Sequence, residues 1–366
     1  MFKKIKINYL LLFALSYSWH AMADHINYTP NELINTFDLL DTNKNKLLEV
    51  FEFKAQNRDI FEHVDINLDN KLSSKEFKAY FSYQNRIIKE RKNIKNEQAH
   101  LNIAYVENGH RRQKLDLYIP DNLQTKPMPL VIWIHGGGWK RGTKLLLGKQ
   151  IALLEQGFIL ASINYRLSRH DTYPAQLHDV KAAIRFLRHN AKTYGIDPNR
   201  IGIWGASAGG HLAALAATTG DDASLEGSLG VTNASSKVQA AVIWYGPSDM
   251  LKMFERRKNS LPIGTNLLRF PVPKLFGGTP ETHGQLYRQG SAINYVTPND
   301  PPFLIMHANK DPIVPLDQSK ILHQSLTDNQ VSSEFHIVEG SKHDFFRGDE
   351  EHKILHQFLT KKLINN

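Results

Sequence analysis

The segment Ile201-Gly202-Ile203-Trp204-Gly205-Ala206-Ser207-Ala208-Gly209-Gly210-His211-Leu212-Ala213-Ala214 constrains the fold most: a short apolar strand runs into G-x-S-x-G and then into an alanine-rich helix. A serine on so sharp a strand-to-helix turn holds its hydroxyl out above a sheet, and only small neighbours fit where the backbones crowd. Ser207 also stands at a helix start, where N–H groups and the helix dipole favour developing negative charge. Strand, turn and helix together make Ser207 the expected nucleophile.

A serine hydroxyl needs a base to remove its proton, and the carbonyl it attacks needs donors for the oxyanion. Residues 130–135 read as a buried strand ending in His135-Gly136-Gly137-Gly138, a turn whose glycines let backbone N–H groups approach a carbonyl. Gly137, Gly138 and Ala208 are the expected donors. Further strands are expected at 102–106, 115–119, 159–164, 201–204, 240–244, 303–307 and 334–338, and helices near 143–156, 175–193, 207–218, 316–329 and 349–363. Asp311 follows the seventh strand and His343 the eighth, so each acts from a loop after a strand, in the order Ser, Asp, His.

Other residues compete for these roles. Asp344 adjoins His343 and would point away from it, while Asp317 opens a helix, where capping accounts for it. His135, His211 and Asp179 read as structural. The pairs His307 with Asp311 and His343 with Asp344 lack a third ligand at metal spacing. The stretch 248–294, with Met250, Met253, Phe254, Leu261, Leu267, Leu268, Phe270 and Phe276, either lines an acyl pocket or packs helices on the sheet.

With H-G-G-G, G-x-S-A-G-G and this triad order, residues 101–362 resemble an α/β-hydrolase of the bacterial carboxylesterase group, related in pattern to hormone-sensitive lipase. The resemblance implies an eight-stranded, mostly parallel sheet flanked by helices and hydrolysis of acyl esters through an acyl-enzyme. A prolyl-oligopeptidase-like peptidase shares the order, but no propeller-sized segment precedes the motifs. A calcium-dependent binding protein on an inactive hydrolase fold would lack a catalytic residue, and none is missing.

Upstream, Asp41-Thr42-Asn43-Lys44-Asn45-Lys46-Leu47-Leu48-Glu49-Val50-Phe51-Glu52 is echoed by Asp65-Ile66-Asn67-Leu68-Asp69-Asn70-Lys71-Leu72-Ser73-Ser74-Lys75-Glu76. Oxygen ligands for Ca2+ then come from Asp41, Asn43, Asn45 and Glu52 in one loop, and from Asp65, Asn67, Asp69, Lys71 through its carbonyl, and Glu76 in the other. Leu48 and Leu72 would pair the loops through a short strand. The repeat resembles a bacterial EF-hand pair, a small all-α domain, with Lys46 and Asn70 standing where the family's turn takes glycine. The second loop is therefore the safer calcium site.

The start, with Lys3, Lys4 and Lys6 ahead of an apolar run, then Ala21-Met22-Ala23, reads as a signal peptide cut before Asp24. The expected organisation is a signal peptide over 1–23, an EF-hand pair with linker helix over 24–95 and a catalytic domain over 96–366. Location is periplasmic or secreted, with no membrane span after cleavage. The chain has no cysteine, which excludes disulfides and thiol catalysis, and its +9 charge is scattered rather than striped, against a nucleic-acid partner. The expected substrate is a small-molecule or polysaccharide-linked acyl ester, with calcium-dependent protein or surface docking as a second partnership.

Overall fold

A computed structural model describes residues 45–49, 65, 71–77, 99–120, 127–145, 147–220, 222–259, 266–267, 270–343 and 348–365. The chain divides into two compact units, residues 1–97 with 141–148 and residues 98–140 with 149–366. Residues 141–148 thus group with the smaller unit.

In the smaller unit, β1 (Leu47–Glu49) runs antiparallel to β2 (Lys71–Ser73), and Leu48 pairs with Leu72. Lys46 takes φ 63°, so the turn adopts the left-handed conformation that glycine would favour. Asn45 Oδ1 accepts the Leu47 N–H at 2.8 Å. Glu76 Oε2 accepts from Ser73 N and Oγ at 3.0 and 2.7 Å, while Glu76 N donates back to Ser73 Oγ at 3.3 Å. This reciprocal pair is a capping box, which satisfies donors at a helix start. Asp65, Leu72 and Phe77 are buried.

The larger unit is built on one eight-stranded sheet. In chain order its elements are β3 (Ala99–Ala104), β4 (Lys114–Tyr118), β5 (Met128–Ile134), β6 (Ile159–Ile163), α1 (Ala175–His189), α2 (Ala191–Tyr194) and β7 (Ile196–Ala206). There follow α3 (Ala208–Thr218), β8 (Ala240–Trp244), α4 (Met250–Asn259), α5 (Pro271–Phe276), α6 (Pro280–Gln289), β9 (Phe303–Ala308), α7 (Leu316–Asp328), β10 (Ser333–Val338) and α8 (Asp349–Leu363). The spatial order is β10-β9-β8-β7-β5-β6-β4-β3; β3 and β4 are antiparallel to their neighbours and the rest run parallel. This is the α/β-hydrolase arrangement. Strands β5, β6, β8 and β9 are buried along their whole length, as continuous apolar runs on a sheet covered on both faces should be.

Helix α3 is buried from end to end. Its alanines let it lie close to β7 and β8. A Cβ on Gly205 would collide with the Gly209 carbonyl, and one on Gly209 with the Ile134 carbonyl. Both outer glycines of G-x-S-x-G are thus fixed by close backbone approach rather than by chemistry at the serine.

Two expectations are corrected. The helix expected over 143–156 is only a 3-10 segment, Lys149–Leu153. Gly148 and Gly157 bracket it, and so short a run forms i to i+3 turns rather than an α-helix. The first strand is Ala99–Ala104 rather than 102–106, since Ala99 and His100 already pair with Tyr118 and Leu117, and Asn102 with φ 59° sits in a register shift within it.

Candidate active site

The parallel strands deliver their loops to the carboxyl edge of the sheet, where an open α/β fold places its sites. Ser207 follows β7 with φ 55° and ψ −121°, a strained conformation for a residue with a side chain. Its N–H donates to the Trp244 carbonyl at the end of β8, 2.9 Å away, and its own carbonyl caps α3 through His211 N at 2.9 Å. The turn is thereby anchored on both sides.

Asp311 lies in the loop after β9 and His343 in the loop after β10. His343 Nε2 is 2.9 Å from Ser207 Oγ, and Nδ1 is 2.6 Å from Asp311 Oδ2. An ionised carboxylate only accepts, so Nδ1 carries the proton and Nε2 is left to accept the serine hydroxyl. That is the tautomer a general base requires. Asp311 Oδ1 accepts the N–H groups of Ile313 and Val314 at 2.8 and 2.9 Å. Burial alone would raise its pKa, but hydrogen bonding with His307 and His343 outweighs this and holds the carboxyl well below its usual range. The structure thus brings together all three residues expected from the sequence.

Gly137 and Gly138 follow β5 with φ 117° and 59°. Among the described residues, neither glycine N–H reaches a backbone acceptor. Ala208 begins α3 directly after the serine. His135, expected to be structural, is fully buried: Arg112 Nη2 donates to its Nε2 at 3.2 Å, so Nδ1 carries the proton and meets Gly136 O at 2.8 Å. Its ring stacks on Tyr165 at 4.5 Å. His211 accepts the Trp139 indole N–H at Nδ1, 3.1 Å, and donates from Nε2 to Gly290 O at 2.7 Å. Burial lowers its pKa to about 4, so it holds Trp139 against α3 as a neutral ring. Asp179 accepts from Gln113, from Arg166 N and from the Arg166 guanidinium, all as structural contacts. Asp317 is exposed, with Arg256 3.7 Å away. Asp344 lies outside the described residues.

Sequence reasoning gave His307 no role. It is fully buried, with Nε2 2.9 Å from the Val314 carbonyl and 3.5 Å from Asp311 Oδ2, and Nδ1 2.7 Å from Ser319 Oγ. It therefore ties the acid loop to β9 and α7. Tyr245 was also missed: with φ 40° after β8, its ring meets His343 edge-on at 4.6 Å. A bulky residue just before Gly246-Pro247 at a strand end was the one available signal; its backbone angle is not legible in sequence.

Beside Ser207 lies a cavity of about 240 Å³. Met253, Phe254, Leu267 and Phe270 line it, whereas Met250 and Phe276 belong to the core under the helices. Both alternatives for the 248–294 stretch therefore hold, with Phe254 belonging to the lining and to the core alike. Leu261 and Leu268 lie outside the described residues. So do the expected calcium ligands Asp41, Asn43, Glu52, Asn67 and Asp69. Among the described residues no group of three or more His, Asp or Glu side chains is arranged to hold a metal ion, and no helix is long and apolar enough to cross a membrane.

Residues 115–326 match the BD-FAE family, a span that holds Gly137, Gly138, Ser207 and Asp311 and ends before His343. Esterase LipC of Mycobacterium tuberculosis is 35% identical over 210 residues, covering 57% of this chain and 50% of its own. The chain spans about half the length of the curated relatives it matches. Among solved structures, a truncated carbohydrate esterase from gut microbiota is 32% identical with a TM-score of 0.66, covering 74% of this chain and 99% of its own. A bifunctional GH43-CE protein of Bacteroides eggerthii is 34% identical, also with a TM-score of 0.66, covering 74% of this chain and 39% of its own.

Proposed function

Because the chain belongs to the BD-FAE family of α/β-hydrolase esterases, we propose that it is a serine esterase that cleaves carboxylic esters through an acyl-enzyme on Ser207. The observation that carries this reading is the continuous hydrogen-bond chain from Ser207 Oγ through His343 to Asp311. Ser207 Oγ attacks the ester carbonyl carbon as His343 Nε2 takes its proton, and Asp311 stabilises the imidazolium. The N–H groups of Gly137, Gly138 and Ala208 receive the oxyanion. Collapse expels the alcohol, which leaves with the proton from His343. Water, deprotonated by the same nitrogen, then releases the acid and restores the serine.

Short acyl esters, including acetyl groups on carbohydrate, suit a cavity of this size, and the carbohydrate esterase among the similar structures supports that class. The test is covalent labelling. A diethyl phosphoryl ester should add one label, located by peptide mass spectrometry on Ser207, with loss of 4-nitrophenyl acetate hydrolysis in step. Labelling elsewhere with hydrolysis intact would sink the assignment.

The proposal extends to calcium and to export. Asp41, Asn43, Asn45 and Glu52 would hold one ion, and Asp65, Asn67, Asp69, the Lys71 carbonyl and Glu76 a second. Supporting this are the left-handed turn at Lys46, the pairing of Leu48 with Leu72, and the burial of Asp65 and Glu76. Bound calcium supplies a rigid cross-link and takes no part in hydrolysis. A periplasmic or secreted chain would meet enough calcium to stay loaded and to use the unit for docking. Calorimetry on the full chain should register calcium binding that weakens about tenfold or more in Glu76→Gln. No heat at about millimolar calcium would end the calcium reading.

A further inference from the structure

Strand β9 is buried along its length, and His307 is its one polar side chain among Phe303, Leu304, Ile305, Met306 and Ala308. Burying an imidazole costs free energy unless its ring nitrogens find partners, and an apolar residue would fill the place without that cost. The partners of His307 come from the acid side of the site. Its Nε2 lies 2.9 Å from the Val314 carbonyl and 3.5 Å from Asp311 Oδ2, and its Nδ1 lies 2.7 Å from Ser319 Oγ on α7. A carbonyl only accepts, so Nε2 carries a proton, with the catalytic carboxylate beside its main acceptor.

Asp311 Oδ2 thus faces two imidazoles, His343 at 2.6 Å and His307 at 3.5 Å. Its other oxygen, Oδ1, is held by the N–H groups of Ile313 and Val314. Val314 is gripped at both ends, its N–H by the acid and its carbonyl by His307. The base loop is tied to the same strand end: His307 pairs in register with Ile337, Asn309 N donates to Val338 O, and Lys310 N donates to Ser341 O. Asp311 follows Lys310 directly, so the base is fixed against β9 by backbone bonds while the direction of the acid depends on its turn. Take away the Nε2 donor and that turn loses its bond to β9, as the carboxylate loses its second imidazole. A misplacement of about 1 Å in a catalytic group costs about 10²-fold in rate.

We propose that His307 is a positioning residue for the catalytic acid: its Nε2–H braces the Val314 carbonyl and Asp311 Oδ2, and so keeps the carboxylate aimed at His343 Nδ1 through acylation and deacylation alike. It acts through Asp311 and exchanges no proton with the substrate. The inference rests on the esterase reading and adds to it the group that holds the acid in place.

The test uses the full chain and 4-nitrophenyl acetate. His307→Leu keeps the bulk and removes both ring nitrogens; kcat should fall by about 10- to 100-fold with KM within about threefold, because both chemical steps run through His343. His307→Gln supplies an amide N–H for Val314 and Asp311 and a carbonyl for the Ser319 hydroxyl, and should recover kcat to within about fivefold of wild type. A spectroscopic readout separates aiming from support of the loop. The downfield 1H NMR resonance of the short bond between His343 Nδ1 and Asp311 Oδ2 should persist in wild type and His307→Gln and be shifted or lost in His307→Leu. Should His307→Leu fail to fold, His307→Asn takes its place, since its shorter amide does not reach Val314 from β9, and the same loss is expected. A kcat within about twofold of wild type in His307→Leu or His307→Asn would overturn the proposal while leaving the esterase intact. So would an equal loss in Leu and Gln variants with the resonance unmoved in both. If Ser207→Ala cleaves the ester as fast as wild type, it is the esterase reading that fails.

Discussion

Ser207→Ala is expected to lower kcat for 4-nitrophenyl acetate by about 10⁴- to 10⁶-fold while leaving the fold in place. The substitution removes one oxygen, the atom 2.9 Å from His343 Nε2, and keeps a Cβ at the same strained φ of 55°. Nothing else in the site is asked to move. A residual rate well above the uncatalysed one should survive, because the oxyanion donors and the cavity remain. Circular dichroism and the urea midpoint should match wild type. Ser207→Gly should be equally inactive yet more resistant to urea by about 1 kcal/mol, since glycine tolerates the left-handed backbone. Hydrolysis by Ser207→Ala within about tenfold of wild type would remove Ser207 from the mechanism.

The largest expected effect on stability is far less visible in sequence. Lys181 and Arg185 on α1 have fully buried side chains, and both depend on Glu226. Lys181 Nζ reaches Glu226 Oε2 at 3.0 Å and the Thr219 carbonyl at 2.6 Å. Arg185 bonds Glu226 Oε1 at 2.5 Å and the carbonyls of Glu226, Leu229 and Val231 at 2.9, 2.7 and 2.5 Å. Ser236 Oγ adds a bond to Glu226 Oε2 at 2.7 Å. Glu226→Ala would strand two buried cations, a change worth roughly 3–5 kcal/mol. Against a total stability of order 5–15 kcal/mol, that should bring thermal unfolding down by roughly 10 °C.

The same group sets a pH dependence. Burial pushes the Glu226 carboxyl up, but the Ser236 hydroxyl with the Lys181 and Arg185 cations holds it below its usual range. Its folded pKa lies under the unfolded one, so its stabilisation is complete above the ordinary carboxyl range. It fades as pH falls through the depressed value. Urea titrations of wild type and Glu226→Ala should therefore differ most at neutral pH and converge in acid. A constant gap at all pH values, or a loss under about 1 kcal/mol, would show that the network contributes packing rather than charge. Should Glu226→Ala fail to fold, Glu226→Gln offers a milder removal of the same charge.

The nucleophile was legible because its signal is local. Gly205 and Gly209 are required by backbone contacts within a few residues and the next strand, so the motif is written contiguously. The strands were legible for a similar reason, since parallel strands buried on both faces must be apolar along their length. The same logic explains the failure at 143–156, where an apolar composition suited to a helix is cut too short by glycine, while the start at Ala99 is set by pairing with Tyr118 of β4, which is not local. The pairing of Leu48 with Leu72 was legible from the repeat, and so was a turn at Lys46 in the place of glycine, but that lysine itself takes the left-handed conformation there is visible only in the structure.

The chain order of Ser207, Asp311 and His343, each following a strand, was determined by sequence alone, together with the glycines that admit a carbonyl and the eight-stranded fold that carries them. Only the tertiary structure decided that His343 lies within hydrogen-bond reach of both partners, that His307 ties down the acid loop, and that Arg257 rests on Phe270 at the cavity edge. The reason is one of range. A motif records contacts between near neighbours, but Asp311 and His343 are 32 residues apart and His343 and Ser207 are 136 apart. Their meeting depends on how β7, β9 and β10 are ordered in the sheet, which no short stretch of sequence encodes.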